Sequence, residues 1–212
     1  MGQVSCYAYT MNVHIRPSSP ATTQAAEGLP RRKWSVAEIE AMVQAGIIDE
    51  HERIELIGGE IVPMAAKGVP HETIKKELNR FWAKIVTPEI DIITETTFRL
   101  DAHQFLEPDF LFWPRSVGLG KLKPADIMLA VEVADSSLAW DLGRKAGIYA
   151  SLSLPEYWVI NARTLVTTVH REPGPEGFAA VAEVAHTSLL TPMLIPALAV
   201  RLADLGSEPL AA

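Results

Sequence analysis

The sequence predicts a single mixed α/β domain, because some segments alternate apolar and polar residues whereas others repeat their apolar residues at helical spacing. The chain has 212 residues, of which 48% are hydrophobic, and this is enough for one full-sized core. Residues 1–28 mix small and polar residues without periodicity, so we expect a flexible leader. The domain itself is then predicted over residues 29–208.

A short helix and a β-hairpin are predicted at the start of the domain. Ser35 is followed three residues later by Glu38, which is a capping-box pattern. The helix that begins there should end before Gly46, because glycine favours the backbone conformation that ends a helix. Two alternating segments joined by a Gly-Gly pair then predict an N-terminal β-hairpin over residues 53–64.

The centre of the chain is predicted to contain a long helix and three strands. Apolar residues at helical spacing place the helix over residues 70–85. Strands are expected over residues 90–100, with Glu95 inside the strand, and over residues 110–113. The third strand is expected to be buried on both faces, with Ile127, Leu129, Val131 and Val133 on one face and Met128, Ala130, Glu132 and Ala134 on the other.

The last third of the domain is predicted to be a helix followed by a β-meander. Ser136 or Ser137 can cap the helix, which should end near residue 151. The meander is expected to have three strands with a Pro- and Gly-rich turn before the last one, over residues 156–161, 164–171 and 178–184.

Charge and composition exclude several classes of protein. The net charge of −7 disfavours a protein that grips nucleic acid strongly and without sequence preference, because such proteins are usually basic. The single cysteine, Cys6, cannot form a disulfide within the chain, and this favours the cytoplasm. No apolar run approaches the roughly 20 residues of a membrane-spanning helix, so no membrane association is expected. The five tryptophans are scattered and predict no base-stacking platform.

Two carboxylates are the leading candidates for a functional site. Glu132 lies in an otherwise apolar strand, and burying a carboxylate is costly unless it is paired or binds a metal. The alternative for Glu132 is a position on the solvent-exposed face of an edge strand. Asp109 follows Pro108 at the start of another strand, where an ordinary turn aspartate is the alternative. Together the two carboxylates could hold Mg²⁺, which can activate a water and neutralise phosphate charge.

Other polar residues are weaker candidates for the same site. Lys145 follows Asp141 by one helical turn, and a plain surface ion pair is the alternative for both. Glu55 lies in the hairpin, where it could be a third acid or a solvent-facing residue. His71 opens the long helix and is as readily a cap or packing residue, and Glu95 is a supporting candidate of similar weight.

These residues lie in segments that together resemble one known family. In chain order the segments are RRKWSVAEIEAMVQAGII, ERIELIGGEIVPM with the later His71, EPDFLFWPR and LAVEVADSSLAWDLGRKAGIYASLSLPEYWVINA, followed by the meander. They are similar to the Uma2 family of restriction endonucleases (DUF820), a branch of the PD-(D/E)XK nuclease superfamily. The similarity extends from about Trp34 to Leu205, nearly all of the predicted domain.

The resemblance implies a restriction-endonuclease-like core, in which a mixed β-sheet is flanked by helices. It places Asp109 and Glu132 at the metal positions and implies Mg²⁺, with Mn²⁺ as an alternative, and a DNA substrate. In the superfamily pattern a lysine follows the second acid by two residues, but this chain has Ala134 there. The resemblance is instead to nucleases whose lysine lies on the following helix, where Lys145 matches. Glu55 would be an additional acid that supports the metal or its water ligands.

The sequence thus predicts a metal-dependent endonuclease that hydrolyses DNA phosphodiester bonds, and a homodimer is expected because cutting both strands benefits from two sites. One rival interpretation is a catalytically weak or inactive nuclease-fold module for nucleic-acid or protein interaction, which the acidic charge and Ala134 favour. Another is a carboxylate-pair hydrolase acting on a different substrate. Divalent-metal binding separates the nuclease from both rivals.

Overall fold

Ten strands form two β-sheets in residues 31–210, the part of the chain that this computed structural model describes. The smaller sheet is antiparallel, with the order β2-β1-β5-β4, and consists of β1 (Ile54–Ile57), β2 (Glu60–Pro63), β4 (Phe98–Asp101) and β5 (Gln104–Leu106). The larger sheet, in the order β10-β9-β8-β7-β6-β3, consists of β3 (Ile90–Ile93), β6 (Phe110–Pro114), β7 (Leu129–Ala134), β8 (Glu156–Asn161), β9 (Thr167–Gly174) and β10 (Gly177–Val184). Because only β7 and β8 run parallel, the larger sheet is mixed.

The helices lie between the strands along the chain. Helix α1 spans Val36–Gln44 and helix α2 spans Val69–Ile85. A third helical segment begins with α3 (Leu138–Trp140), continues through a π-helical turn at Asp141–Lys145 and ends with α4 (Ala146–Ser151). None of the helices in residues 31–210 is both long and apolar enough to cross a bilayer.

Helix α2 covers one face of the larger sheet. The Trp82 ring meets Phe110 and Phe112 edge-on, with centroids 5.0 Å apart in each pair. The indole nitrogen of Trp82 donates a hydrogen bond of 3.0 Å to the carbonyl of Leu198, in a 3₁₀ turn near the C-terminus. Alternate residues of β7 complete this core, so it contains Leu129, Val131 and Val133 as predicted. The prediction was wrong for Ile127, which packs in the core on the opposite face.

Helix α4 and part of the smaller sheet pack against the opposite face. This second core contains Ala130 and Ala134 of β7 together with Tyr149 of α4 and Leu100 of β4. Glu132 therefore points to the same side of the sheet as these apolar residues. Since β7 lies between β6 and β8, the edge-strand alternative for Glu132 is wrong.

Most of the predicted elements are present. The capping box at Ser35 is complete, because the Ser35 hydroxyl accepts from the Glu38 amide at 3.2 Å and the Glu38 carboxylate accepts from the Ser35 amide at 2.9 Å. The hairpin, the long helix and the three-strand meander also form, with small differences in their ends. Ser137 occupies the position before α3 but makes no capping bond, because its hydroxyl donates to Asp141 instead.

The strands differ from the predictions in four respects. The segment 90–100 is not one strand, because the chain leaves the larger sheet after β3 and joins the smaller sheet at β4. Glu95 lies in the break with a φ of 52°, a left-handed conformation that extended strands do not adopt. Strand β5 was not predicted, and β7 begins at Leu129 rather than at residue 127, after a 3₁₀ turn at Pro124–Asp126.

The predicted leader, residues 1–28, lies outside the described residues. The domain boundaries at residues 29 and 208 therefore stay a prediction from the sequence.

The complete capping box predicts a measurable contribution of Ser35 to stability. We expect Ser35→Ala to lower the free energy of unfolding by about 1 kcal/mol, because the Glu38 amide loses its acceptor. Urea denaturation followed by circular dichroism measures this difference. Ser35→Asn is the control and should be nearly neutral, because asparagine caps equally well. An equal loss in both variants would show that the hydroxyl has another role.

Candidate functional site

A cleft of about 210 Å³ lies where the two sheets meet the π-helical turn and the start of α2. Both carboxylates that the sequence singled out line this cleft. The register of β6 and β7 pairs Phe110 with Val131, so one further step along the strands places Asp109 opposite Glu132. Opposed residues on adjacent strands share a face of the sheet. The fold thus brings together two acids that are 23 residues apart in the chain.

Asp109 is held as a charged carboxylate. Its Oδ2 atom accepts a hydrogen bond of 2.8 Å from the Val133 amide. The Nε2 atom of His71, in the first turn of α2, lies 3.1 Å from both carboxylate oxygens. Burial acts to raise the pKa of Asp109, but the His71 contact and the Val133 amide hold that pKa below its ordinary value. Asp109 is therefore ionised although it is buried.

Lys145 occupies the centre of a second cluster of charges. Its Nζ atom lies 2.9 Å from Glu55 Oε1, 3.0 Å from Glu132 Oε1 and 3.7 Å from Asp141 Oδ1. All four side chains are buried. Burial disfavours a charged amine, but the three surrounding carboxylates raise the pKa of Lys145 above its ordinary value. The lysine is therefore an ammonium ion surrounded by more negative charge than it can neutralise.

The ionised forms of Glu132 and Asp141 are disfavoured, whereas the charged form of Lys145 is favoured. Burial raises the pKa of Glu132 well above its ordinary value, and the charge of Lys145 only partly offsets this. The pKa of Asp141 is raised by burial as well. Full ionisation of Glu132 and Asp141 is thus disfavoured beside Lys145 alone, and a second cation in the cleft would favour their charged forms.

The π-helical turn positions Lys145. The Ala146 amide donates to the carbonyl of Asp141, five residues back, and the Tyr157 hydroxyl donates to the same carbonyl at 3.1 Å. The Ser137 hydroxyl donates to the Asp141 carboxylate at 2.6 Å. These bonds hold both the backbone carbonyl and the side-chain carboxylate of Asp141, so the turn keeps Lys145 directed towards Glu132 of β7 and Glu55 of β1. The sequence alone left open whether helix and strand bring Lys145 to Glu132.

Lys67 is a cleft residue that the sequence analysis missed. Its ammonium lies 3.5 Å from Asp109 Oδ1 and pairs with Glu95. Glu95 also accepts from Lys75 at 2.7 Å. Burial lowers the pKa of Lys67, and Asp109 acts in the opposite direction. The one local feature that could have drawn attention to Lys67 is its position just before Gly68, the residue that precedes α2.

Arg53 and Trp140 also line the cleft and were not predicted. Arg53 pairs with Glu107 at 2.8 Å, and the Glu107 amide donates to Glu55 at 3.1 Å. Trp140 precedes the π-helical turn and is 36% exposed. Neither residue has a distinctive sequence context, so only the folded chain shows that they belong to the cleft.

The structure brings six of the seven predicted site residues into one cleft. Those that line it are Asp109, Glu132, Lys145, Glu55, His71 and Asp141. Glu95 lies outside the lining and is connected to Asp109 through Lys67. Ala134, at the usual lysine position, is fully buried in the second core.

The donor atoms of the cleft suit a hard divalent cation. Asp109 and Glu132 offer carboxylate oxygens on one face of the sheet, and Mg²⁺ commonly uses one or two carboxylates with waters and substrate phosphates. Within residues 31–210, no group of three His, Cys, Asp or Glu side chains is arranged to hold a metal. The two carboxylates therefore fit an ion that completes its coordination with water and substrate, rather than a closed protein site.

Comparisons with known proteins agree with this fold. The Uma2 family model, described as "Putative restriction endonuclease", matches residues 36–203. The fold is similar to a crystal structure from Anabaena variabilis, described as a "putative nuclease belonging to DUF820". That similarity has a TM-score of 0.61 and 13% identity, covering 76% of this chain and 94% of the other, and at this identity it concerns the fold alone. No curated protein matches the chain.

The charge imbalance around Lys145 predicts unequal effects on stability for two substitutions. We expect Lys145→Met to lower the free energy of unfolding by roughly 3–5 kcal/mol, because it leaves three buried carboxylates without their cation. Glu132→Gln should change stability by less than about 1 kcal/mol, because it removes excess negative charge and leaves Lys145 two carboxylate partners. Urea denaturation of both variants measures the asymmetry.

Lys76→Met serves as the control, because Lys76 is exposed and lies on the surface of α2. It should change stability by no more than about 0.5 kcal/mol. Equal losses for Lys145→Met and Glu132→Gln would contradict the excess of negative charge.

Proposed function

Because the chain belongs to the Uma2 family, we propose that it is a divalent-metal-dependent endonuclease that hydrolyses phosphodiester bonds in DNA. One observation supports this most directly. Asp109, just before β6, lies opposite Glu132 within β7, and Lys145 reaches Glu132 from the following helix at 3.0 Å. Two acids and a lysine in one cleft are the groups that metal-assisted phosphodiester hydrolysis requires.

In this proposal Asp109 and Glu132 hold the metal. A bound Mg²⁺ would polarise the scissile phosphate and lower the pKa of an attacking water. The protein prepares one ligand in advance, since the Val133 amide and His71 orient the Asp109 carboxylate and keep it ionised. Orientation of a ligand by such partners is typical of metal sites.

Lys145 would stabilise the charge that develops on the phosphate. Its surroundings keep the proton on Nζ, so it acts as a hydrogen-bond donor and a positive charge rather than as a base. Glu55 and Asp141 contact the same ammonium and so position it. The geometry supports this positioning role for Glu55, and the predicted role in supporting the metal stays a prediction.

A non-catalytic interaction module is the second candidate. It is favoured by the direct bond between Lys145 and Glu132, which engages an oxygen that the metal would need. Such a module would keep the charge cluster as a structural ion pair and would bind no divalent cation. Isothermal titration calorimetry with Mg²⁺ or Mn²⁺ separates the candidates, because only the nuclease loses its binding heat on Asp109→Asn.

The proposal predicts metal-dependent nicking of supercoiled plasmid. With Mg²⁺ or Mn²⁺ the protein should convert supercoiled DNA to nicked and linear forms, and EDTA should abolish the conversion. Asp109→Asn and Lys145→Met should each lower the rate by about 100-fold or more, because each removes a group that acts on the transition state. Gel electrophoresis with time measures these rates.

Asp91→Asn is the matched control, because Asp91 is an acid on an edge strand outside the cleft, paired with Arg115. It should cleave at the unchanged rate. Cleavage that survives in Asp109→Asn would point to a contaminating nuclease, and an equal loss in Asp91→Asn would show that the loss is not specific to the cleft. Either result would remove the proposal. The homodimer and the cytoplasmic location stay predictions from the sequence.

A further inference from the structure

Trp140 is an aromatic residue at the cleft that the proposed hydrolysis does not use. Its side chain is 36% exposed and lines the same cleft as Asp109 and Glu132. Among the described residues it belongs to none of the three apolar cores. A large aromatic side chain that packs into no core but borders a polar cleft is placed to contact something that enters the cleft.

The backbone beside Trp140 is firmly held. The next residue, Asp141, accepts bonds from Ser137 through its carboxylate and from Tyr157 through its carbonyl. The Trp140 amide itself donates to the Ser137 carbonyl at 2.8 Å. The indole is thus presented from a rigid turn, so little conformational entropy is lost when a ligand packs against it.

The cleft contains the two kinds of group that bind a nucleotide, namely cations for the phosphate and an aromatic ring for the base. Lys67 and Arg53 line it, and their positive charges, although each is paired with a carboxylate, attract a phosphate. Trp140 adds an aromatic face for a base. Stacking of a base on an aromatic side chain is tolerant of sequence, because every base has a π-face. Bases inside a duplex are already stacked on both sides, so they reach such a ring only when they are unpaired or flipped out.

We propose that Trp140 stacks on an unpaired nucleobase next to the scissile phosphate, so that the preferred substrate is DNA with single-stranded nucleotides at the cutting site. This inference rests on the proposed endonuclease function. The acidic net charge of −7 agrees with it, because a strong electrostatic grip on duplex DNA needs a basic surface. Stacking supplies affinity that does not depend on that charge.

Tryptophan fluorescence tests the contact without any cleavage. Three of the five tryptophans, Trp82, Trp113 and Trp158, are buried, so only Trp34 and Trp140 can meet a ligand. A thymidine oligonucleotide is titrated in EDTA against the wild type, Trp140→Ala, Trp140→Phe and Trp34→Phe. We expect quenching in the wild type and in Trp34→Phe, and its loss in both Trp140 variants.

Fluorescence anisotropy of a labelled oligonucleotide then measures affinity in the same buffer. Trp140→Ala should weaken binding of the thymidine strand by at least about fivefold, the lower end for one stacked base, and Trp140→Phe should retain most of it. An abasic strand of equal length keeps the phosphates and removes the bases, so Trp140→Ala should leave its binding unchanged. Equal affinities of Trp140→Ala and the wild type for the thymidine strand would overturn the inference, as would quenching that persists in Trp140→Ala.

Cleavage assays keep this inference separate from the proposed function. With metal, the wild type should cut a gapped duplex at least about fivefold faster than the fully paired duplex, and Trp140→Ala should lose that preference. Equal rates on the two substrates would overturn the inference while the nuclease function stands. If neither substrate is cut but the fluorescence results hold, the nuclease function fails and base stacking stands by itself.

Discussion

Three carboxylates from three different elements converge on one buried ammonium group, that of Lys145. Glu55 comes from the smaller sheet, Glu132 from the centre of the larger sheet and Asp141 from the π-helical turn. Each of these charges would be costly to bury alone, so each element must keep its place for the others to remain compensated. The cluster therefore links the two sheets and the helix to one another. The same link gathers three carboxyl groups at one end of the cleft.

Local sequence signals predicted the elements that are stabilised locally. The capping box at Ser35 and the Gly-Gly hairpin require only neighbouring residues, and both form as predicted. The break at Glu95 carries no such signal, because a non-glycine residue takes the left-handed conformation there. Its side chain pairs with Lys67 and Lys75, which are distant in sequence, so tertiary contacts hold a conformation that the local sequence does not favour.

At the candidate site, too, local sequence signals identified some residues, whereas others depend on tertiary contacts. An ionisable residue in an apolar strand singled out Glu132, since burial makes such a residue costly unless it is compensated. The opposition of Asp109 and Glu132 depends on the register of two strands, which no local pattern specifies. Trp140 and Lys67 have ordinary neighbours in the sequence, and their place at the cleft follows from packing alone. Resemblance to a family identified the two carboxylates and Lys145, whereas the fold identified two further residues that line the same cleft.

The π-helical turn at Asp141–Lys145 has a consequence for how this site could change in evolution. Each residue of an α-helix advances the chain by roughly 100° about the axis, and a π-helical turn is equivalent to one added residue. Loss of a single codon within the turn would restore a regular α-helix and keep its hydrogen bonds. The residues after the turn would keep nearly their present orientation, because the Ala146 amide would then reach the Asp141 carbonyl from four residues on instead of five. Deletion of Lys145 itself would therefore remove the ammonium group of the charge cluster and still leave a continuous helix.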